Sequence, residues 1–157
     1  MTDRRLATGH HSPDDGTGLV LWQVTNRWQA AQRAALRPLG LTNVQFVLLA
    51  SLAWLDGAGP VTQRHLAEHA GTDAMMTSQL LRTLELRGLV ARVPHPSDRR
   101  ARAVSGTAKG RALADEAIVV VKGCDAAFFA ALGSEIGALT GLLRRLRDAH
   151  ARESRPD

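Results

Sequence analysis

Three arginines, Arg99, Arg100 and Arg102, crowd into one short polar stretch of the sequence. Pro94 and Pro96 precede them, and a strand cannot continue through these prolines because each removes a backbone donor and fixes its own backbone angle. The stretch is therefore predicted to be the tip of a hairpin, where the arginine side chains do not pack against a hydrophobic core. Guanidinium groups at such a tip can bind phosphates or enter a narrow minor groove of DNA.

A second set of residues, His65, Glu68 and His69, suggests a different chemistry. Their spacing matches the His-x-x-Glu-His signature of one group of zinc proteases, in which the histidines hold zinc and the glutamate acts as a base. A zinc site of this kind also needs a third ligand and a cleft, and no pattern in the sequence indicates either. The same residues are explained as a short helix with polar side chains outward, so a zinc hydrolase is kept only as an alternative. No catalytic residue, metal site or cofactor is predicted.

The single cysteine, Cys124, excludes an intramolecular disulfide and fits a reducing compartment. It falls on an apolar stripe of a predicted helix and has no evident partner to stabilise a thiolate. Core packing is therefore preferred over a role as a nucleophile or an oxidant sensor. The pair His10-His11 is interpreted in the same way, as solvated side chains rather than metal ligands.

The elements that would position the arginines begin with a helix opened by Thr72 or Asp73, both favourable N-cap residues. One stripe of this helix is apolar or small and is predicted to be buried, at Thr77, Leu80, Leu81 and Leu84. The opposite face carries short, polar or basic side chains suited to base edges: Ala74, Met75, Ser78, Gln79 and Arg82. Gly88 ends the helix.

A shorter helix, residues 63–70, precedes this one, and Gly71 makes the turn between them. Two short helices joined by a tight glycine turn are the sequence form of a helix-turn-helix. Thr62 and Gln63 open the first of the two helices and are predicted to contact DNA phosphates. After the second helix, strands at 89–93 and 102–105 form the hairpin. A helix sized for the major groove beside a basic ribbon indicates DNA binding.

The rest of the chain is predicted to be helical, with a mobile arm over residues 1–18. A long helix covers 19–37, and another begins at Thr42, where Gln45 completes a capping box. Beyond the hairpin, Thr107 caps a helix that reaches about Leu132, and Ser134 caps a last one that reaches about Ala151. The fold class is mainly α, with about six helices and one β-hairpin.

Charge supports an anionic partner. The whole chain has a formal net charge of +5. Residues 62–111 contain nine Lys/Arg against four Asp/Glu, and this difference of +5 alone matches the total. No signal peptide and no apolar run of membrane-spanning length is found in the sequence. The expectation is a soluble, cytoplasmic protein without a membrane partner.

Several motifs together resemble the MarR family of winged helix-turn-helix transcription regulators. The resemblance spans roughly Leu19 to Leu146, and no single motif is decisive. It rests on Leu41-Thr42-x-x-Gln45, Leu66-Ala67, Leu84-Glu85-x-x-Gly88-Leu89-Val90-x-Arg92, Asp98-Arg99-Arg100-Ala101 and Thr107-x-x-Gly110.

The resemblance implies one MarR-like domain over residues 1–157. Residues 41–110 would form the DNA-binding lobe, and helices within 19–40 and 111–153 would form a dimerisation region. A homodimer would then bind a pseudo-palindromic duplex. In the family, an aspartate of the wing orients an arginine that enters the minor groove, a role that falls here on Asp98 and Arg100.

The resemblance also implies a small-molecule effector, because the family commonly binds phenolic or other aromatic anions. Trp22, Trp28 and Trp54, with Arg27 as the basic residue, could line such a pocket. Packing of the tryptophans in the core is an equal alternative.

Two positions depart from the family pattern. Ser78-Gln79 stands where a threonine-arginine pair is usual, which leaves the base preference open, and Gly106 replaces a leucine and is expected to loosen the exit of the wing. The function predicted is a sequence-specific transcription regulator, more often a repressor in this family, released from DNA by its effector. A non-specific architectural DNA-binding protein is the main alternative.

Overall fold

Six α-helices and a three-stranded antiparallel sheet make up residues 12–151, the part of the chain that the computed structural model describes. The helices are α1 (Thr17–Leu36), α2 (Asn43–Leu55), α3 (Gln63–Ala70), α4 (Ala74–Leu86), α5 (Ala108–Phe128) and α6 (Ile136–Ala151). The strands are β1 (Val61–Thr62), β2 (Val90–Pro94) and β3 (Arg102–Gly106). The predicted fold class, a mainly helical winged helix, is confirmed.

Side-chain caps start four of the helices where the sequence predicts them. At α2 the capping box is reciprocal: Thr42 Oγ1 accepts from the Gln45 backbone N–H at 3.2 Å, and Gln45 Oε1 accepts from the Thr42 N–H at 3.0 Å. At α3 and α5 only the threonine side chain takes part: Thr62 accepts from the His65 N–H, and Thr107 accepts from the Gly110 N–H. Asp73, rather than Thr72, caps α4, by accepting from the Met76 N–H at 2.7 Å. These caps satisfy backbone donors that a helix start leaves free.

Two left-handed glycines shape the DNA-binding lobe. Gly71, with φ 69°, makes the turn between α3 and α4, and Gly88, with φ 70°, follows the end of α4. Side chains rarely tolerate this backbone region, so glycine at these positions gives the two turns their geometry. The predicted helix-turn-helix and its exit into the wing are both confirmed.

The hairpin of β2 and β3 is extended by a third strand that the sequence does not predict. β3 lies in the centre of the sheet, with Val61 opposite Val104 on one side and Pro94 opposite Arg102 on the other. Two residues are too few for an alternating pattern, so β1 forms only because β3 offers it a partner.

The core lies between the helices of the lobe and the sheet. Its fully buried large side chains include Leu48 and Leu52 of α2, Leu66 of α3, and Leu81 and Leu84 of α4. Leu36 of α1 and Ala114, Ala117 and Val121 of α5 belong to the same buried cluster. One core therefore joins the lobe to both long helices.

The chain differs from the prediction at the end of α5. The helix stops at Phe128 instead of near Leu132, and a 3₁₀ segment, Ala130–Glu135, precedes α6. Gly133 has φ 51° within that segment, and the chain bends by 82° between the two helices. Ser134 lies inside the 3₁₀ segment, so its assignment as the N-cap of α6 is wrong.

The N-terminal end also differs from the predicted arm. Residues 1–11, including His10-His11, lie outside the described range. Pro13–Asp15 form a 3₁₀ turn and α1 begins at Thr17, so part of the predicted arm is helical. Within residues 12–151 no single helix has the length and apolar composition to cross a membrane, although two bent helix pairs meet that test together.

Candidate nucleic-acid interface

The outer face of α4 presents the side chains predicted for base contacts. Thr77, Leu81 and Leu84 are buried beneath it. On the outer face Ala74, Met75, Gln79 and Arg82 are exposed, while Ser78 is half-buried. The exposed fraction of Met75 reaches 74%. The outer face of α4 therefore presents both polar and apolar side chains to the solvent.

Sequence reasoning missed two further exposed residues of α4, Met76 and Leu86. Met76 is 43% exposed in the first turn, and Leu86 is 90% exposed at the last residue. Both side chains are apolar, so a rule that places apolar residues inward assigns them to the core. Both residues are neighbours, on the helical wheel, of polar residues that the sequence pattern places on the outer face. This proximity could have identified them as exposed.

The wing carries its four predicted residues, Asp98, Arg99, Arg100 and Arg102, on the surface. Asp98 Oδ1 accepts a hydrogen bond from the backbone N–H of Arg100 at 2.9 Å. The aspartate thus fixes the backbone of the tip, and it has no contact with the Arg100 guanidinium in the described structure. The guanidinium remains free to reach an anion while the turn beneath it is held.

His95 helps to shape the same tip, which sequence reasoning did not foresee. Its ring Nδ1 accepts from the backbone N–H of Asp98 at 3.1 Å and from that of Ser97 at 3.3 Å. Together with the Asp98 bond, these contacts give the tip a defined backbone without any core packing.

Thr62 and Gln63, predicted to contact phosphates, are half-buried at the start of α3. Thr62 Oγ1 accepts from the His65 N–H at 3.1 Å, which leaves its hydroxyl hydrogen available as a donor. Gln63 Oε1 is buried and has no hydrogen-bond partner among the described residues. The phosphate contacts therefore remain a prediction.

An open cleft of about 570 Å³ separates α4 from the wing strands. Arg82 and Glu85 line its helical side, and Arg92 and Arg102 line its strand side. Arg92 Nε lies 3.0 Å from Glu85 Oε2, so this pair bridges the cleft. Glu85 and Arg92 belong to a motif of the family resemblance, but the sequence predicts no role for either side chain.

The far end of the wing is held by Asp56, whose side chain is 9% exposed. Its carboxylate accepts from Ser105 Oγ at 3.0 Å and from the Gly106 backbone N–H at 3.1 Å. Arg111 Nη1 lies 3.2 Å from the same carboxylate and also donates to the Gly106 carbonyl. The expectation that Gly106 loosens the exit of the wing is therefore wrong, because Asp56 and Arg111 fix the backbone there.

The start of α5 is seated directly on the turn that follows α4. Thr107 Oγ1 donates to the Gly88 carbonyl at 2.6 Å, and the Thr107 N–H donates to the Leu89 carbonyl at 3.1 Å. A Cβ added to Gly110 would lie 1.8 Å from the Leu89 oxygen. Only glycine permits this approach, which explains the Thr107-x-x-Gly110 spacing.

The side chains considered for zinc do not form a site. His65 and His69 are exposed on α3, and Glu68 pairs with Arg64 at 3.0 Å. No group of three or more potential His, Cys, Asp or Glu ligands occurs within residues 12–151.

Cys124 is only partly buried, so its assignment to the core needs correction. Burial, and then the neighbouring charge of Asp125, raise the pKa of the Cys124 thiol. Both effects disfavour the thiolate, in agreement with an unreactive side chain.

The four residues considered for an effector pocket do not share an environment in the single chain. Trp22 and Trp54 are 69% and 81% exposed, and Arg27 is exposed as well. Trp28 is half-buried, and its indole Nε1 donates to Asp125 Oδ1 at 2.8 Å between α1 and α5. Core packing is therefore wrong for Trp22 and Trp54. The pocket itself stays a prediction.

The long terminal helices leave large apolar side chains uncovered in the single chain. On α6, Leu142, Leu143 and Leu146 are each 44–55% exposed, and α6 has no buried residue. On α1 the exposed set is Leu19, Val20, Leu21, Trp22 and Val24.

Comparison with known proteins agrees with this geometry. The MarR family profile matches residues 41–101. The HTH-type transcriptional regulator YdcH of Bacillus subtilis, described as uncharacterised, is 39% identical over 136 residues, which cover 86% of this chain and 92% of that protein. The HTH-type transcriptional repressor Rv2887 of Mycobacterium tuberculosis is 38% identical over 119 residues, covering 76% and 84%.

Solved structures give the same result. CouR of Rhodococcus jostii RHA1, bound to p-coumaroyl-CoA, has a TM-score of 0.78 at 29% identity and covers 94% of this chain and 100% of its own. A mutant MarR of E. coli in complex with operator DNA has a TM-score of 0.73 at 25% identity, covering 82% and 91%. These relatives are transcription regulators and not enzymes. The chain described here belongs to the MarR family of DNA-binding transcription regulators.

Proposed function

We propose that this regulator acts as a homodimer on a pseudo-palindromic operator, that it represses transcription, and that a small-molecule effector releases it. The observation that carries the proposal is the position of two reading elements on one lobe. The outer face of α4 and the arginine-bearing wing tip flank a single basic cleft. A duplex that meets α4 with its major groove offers the adjacent minor groove to the wing.

Base reading is proposed for the first turns of α4. Ser78 and Gln79 can donate to or accept from base edges, and Ala74 and Met75 can contact thymine methyl groups. Gln79 is exposed and carries no side-chain hydrogen bond within the described structure. It is therefore free to make the paired contacts that glutamine forms with adenine.

The wing is proposed to read shape instead of sequence. Arg99 and Arg100 are exposed at a tip that Asp98 and His95 hold in place. Narrow A·T-rich minor grooves concentrate negative potential, so a guanidinium held there binds them preferentially. Thr62 and Gln63 would contribute phosphate contacts on the opposite border of the major groove.

The dimer is supported by the uncovered apolar residues of α1 and α6. A helix such as α6, with several half-exposed leucines and no buried residue, is stable only if another surface covers it. A second copy supplies that surface with two-fold symmetry, and the symmetry would set two α4 helices about one DNA turn apart.

Repression and release follow from this arrangement. A bound dimer occludes the promoter from polymerase, and an effector that favours a different spacing of the two lobes shifts the population away from the DNA-bound form. CouR binds p-coumaroyl-CoA, and Rv2887 is a repressor, which supports both steps for this chain. We place the effector near Trp22, Arg27, Trp28 and Trp54, where the partner subunit could complete a pocket. A regulator of chromosomal promoters would act in the cytoplasm.

The test is selection of sheared genomic DNA by the purified protein, followed by titration of the best fragment and a scrambled one at several salt concentrations. A two-fold-related site bound about a thousandfold more tightly than the scrambled duplex is expected. Equal affinity for both duplexes, with a steep salt dependence, would contradict the proposal and favour a non-specific architectural protein. The basic wing alone would be sufficient for binding of that kind.

Two variants separate the proposed roles within the same titration. Gln79→Ala should change the base preference of the selected sites, because it removes a base-edge contact. Arg100→Ala should weaken binding to all duplexes and reduce the salt slope. If both variants weaken binding uniformly, the division between helix and wing is wrong.

A further inference from the structure

The cleft between α4 and the wing carries a net positive charge, which favours an anionic ligand. Arg82, Arg92 and Arg102 face it, and Glu85 is the only acidic residue in its lining. Three positive charges and one negative charge leave a net charge of +2 in an open groove. Arg92 is tied to Glu85 at 3.0 Å, but Arg82 and Arg102 have no ion-pair partner among residues 12–151.

The two unpaired arginines approach the cleft from different elements. Arg82 is exposed in the third turn of α4, and Arg102 is exposed on β3 opposite Pro94. Arg82 follows Ala74 by eight residues, which places it about 12 Å further along the helix axis. Recognition helices read bases with their N-terminal residues, and the major groove is about 12 Å wide. Arg82 is therefore at the level of the border of the groove and not at its floor.

One sugar-phosphate strand separates a major groove from the minor groove beside it. If α4 lies in the first and the wing tip in the second, that strand has to pass through the cleft between them. We infer that this cleft clamps a single phosphodiester strand, with Arg82 and Arg102 gripping the same or adjacent phosphates from its two walls. The inference rests on the proposed docking of α4 and the wing, and it assigns Arg82 to the backbone instead of to a base.

The Glu85–Arg92 pair has a role in the same picture. A carboxylate in a phosphate cleft would repel the strand, and its pairing with Arg92 neutralises it. The pair also links the last turn of α4 to β2, and so connects the two walls of the cleft. The pair is thus a positioning feature, and the two free arginines are the phosphate ligands.

The experiment uses the whole chain of residues 1–157 and the duplex selected by the wild-type protein. Single methylphosphonate linkages, which remove one phosphate charge at a time, are placed along both strands. The wild-type protein, Arg82→Ala and Arg102→Ala are titrated against each duplex. Both variants should lose sensitivity at the same or adjacent linkages, while each lowers the magnitude of the salt slope by about 0.9 for each subunit bound. The ratio of affinities for selected and scrambled DNA should remain unchanged.

Two further variants serve as controls for the substitutions in the cleft. Thr83→Ala changes an exposed neighbour of Arg82 that does not line the cleft, and Arg33→Ala removes one charge from α1. Neither should alter the sensitivity at those linkages. A changed base preference in Arg82→Ala would make that residue a base reader and overturn the inference. Sensitive linkages several nucleotides apart for the two variants would also overturn it. Failure of the wild-type protein to bind any duplex would instead refute the proposed function.

Discussion

The DNA-binding lobe and the terminal helices differ in how far one chain completes them. In the lobe, leucines of α2, α3 and α4 pack into a buried core, although Trp54, Met75, Met76 and Leu86 stay exposed, and polar contacts such as those of Asp56 hold the strands and helices together. In α6 and the first turns of α1, side chains of the same type are exposed. The lobe has a core that one chain completes, whereas α6 and the start of α1 leave a row of apolar side chains uncovered in the single chain.

This difference shows that hydrophobic periodicity has two meanings. A stripe of leucines predicts a buried face, but it does not say whether the covering surface comes from the same chain. Residue substitutions should therefore act differently in the two regions. In the lobe they should change the free energy of unfolding, and in the terminal helices they should change assembly first.

The largest effect is expected at Gly110. Gly110→Ala places a Cβ 1.8 Å from the Leu89 oxygen, so α5 has to move away from the lobe. We expect a loss of about 3 kcal/mol or more in the free energy of unfolding, measured by chemical denaturation. Gly123→Ala is the matched control on the same helix, because nothing lies within 4 Å of its added Cβ. If the two variants are equally stable, the close approach of α5 to the lobe is not real.

The next effect concerns α6 and leaves the lobe intact. Leu142→Arg with Leu146→Arg puts two charges on the uncovered face, and burying them against a second copy would be strongly unfavourable. Sedimentation equilibrium should then show monomers at micromolar concentration, with an unchanged helical circular dichroism signal. Gly137→Asp, on the exposed opposite side of α6, should leave the dimer intact. A dimer that survives the double substitution would move the interface away from α6.

A smaller effect is expected at Asp56, inside the lobe. Asp56→Ala leaves the Gly106 N–H, Ser105 Oγ and Arg111 without their acceptor, at a cost of about 2 kcal/mol in the free energy of unfolding. Glu68→Ala removes an exposed partner of Arg64 and should change that free energy by less than about 0.5 kcal/mol. Thermal or denaturant unfolding of both variants tests the contrast. Similar losses would mean that the Asp56 contacts contribute no more than a surface ion pair.

The smallest effect is expected at Cys124, a partly buried residue of α5. Because burial and then the charge of Asp125 raise the pKa of the thiol, its thiolate forms at a higher pH than that of an unperturbed cysteine. The rate of alkylation by iodoacetamide should therefore rise at a higher pH than it does for an unhindered thiol, and Cys124→Ser should bind DNA like the wild-type protein. A midpoint below the usual cysteine value would restore a sensing role for this residue.

The sequence predicts the local features of the fold well, for a physical reason. The capping box of Thr42 and Gln45, the Thr107 cap and the Gly88 turn each depend on residues within four positions of one another. Their geometry is fixed by the backbone of a single turn, so composition and spacing are sufficient to recognise them. The outer face of α4 follows from helical periodicity in the same way.

Contacts between distant segments could not be predicted from such patterns. Asp56 meets Gly106 across 50 residues, and nothing local to Asp56 distinguishes it from a solvated acid at a helix end. The cleft pair Glu85–Arg92 depends on how β2 leaves α4, and the exposure of Trp22 and Trp54 depends on which surfaces the remaining chain leaves uncovered. Each of these depends on the assembled tertiary structure.

The shared core has a consequence for how this regulator can be divided or recombined. Leu36 of α1 and Ala114, Ala117 and Val121 of α5 are packed into the same cluster as the leucines of the lobe. A fragment cut at residues 41 and 110 would leave that cluster without its outer wall. A DNA-binding unit exchanged with another member of the family must therefore carry with it the end of α1 and the part of α5 that reaches Val121. The positions at which this chain can be divided therefore lie within α1 and α5, and not at the loops beside them.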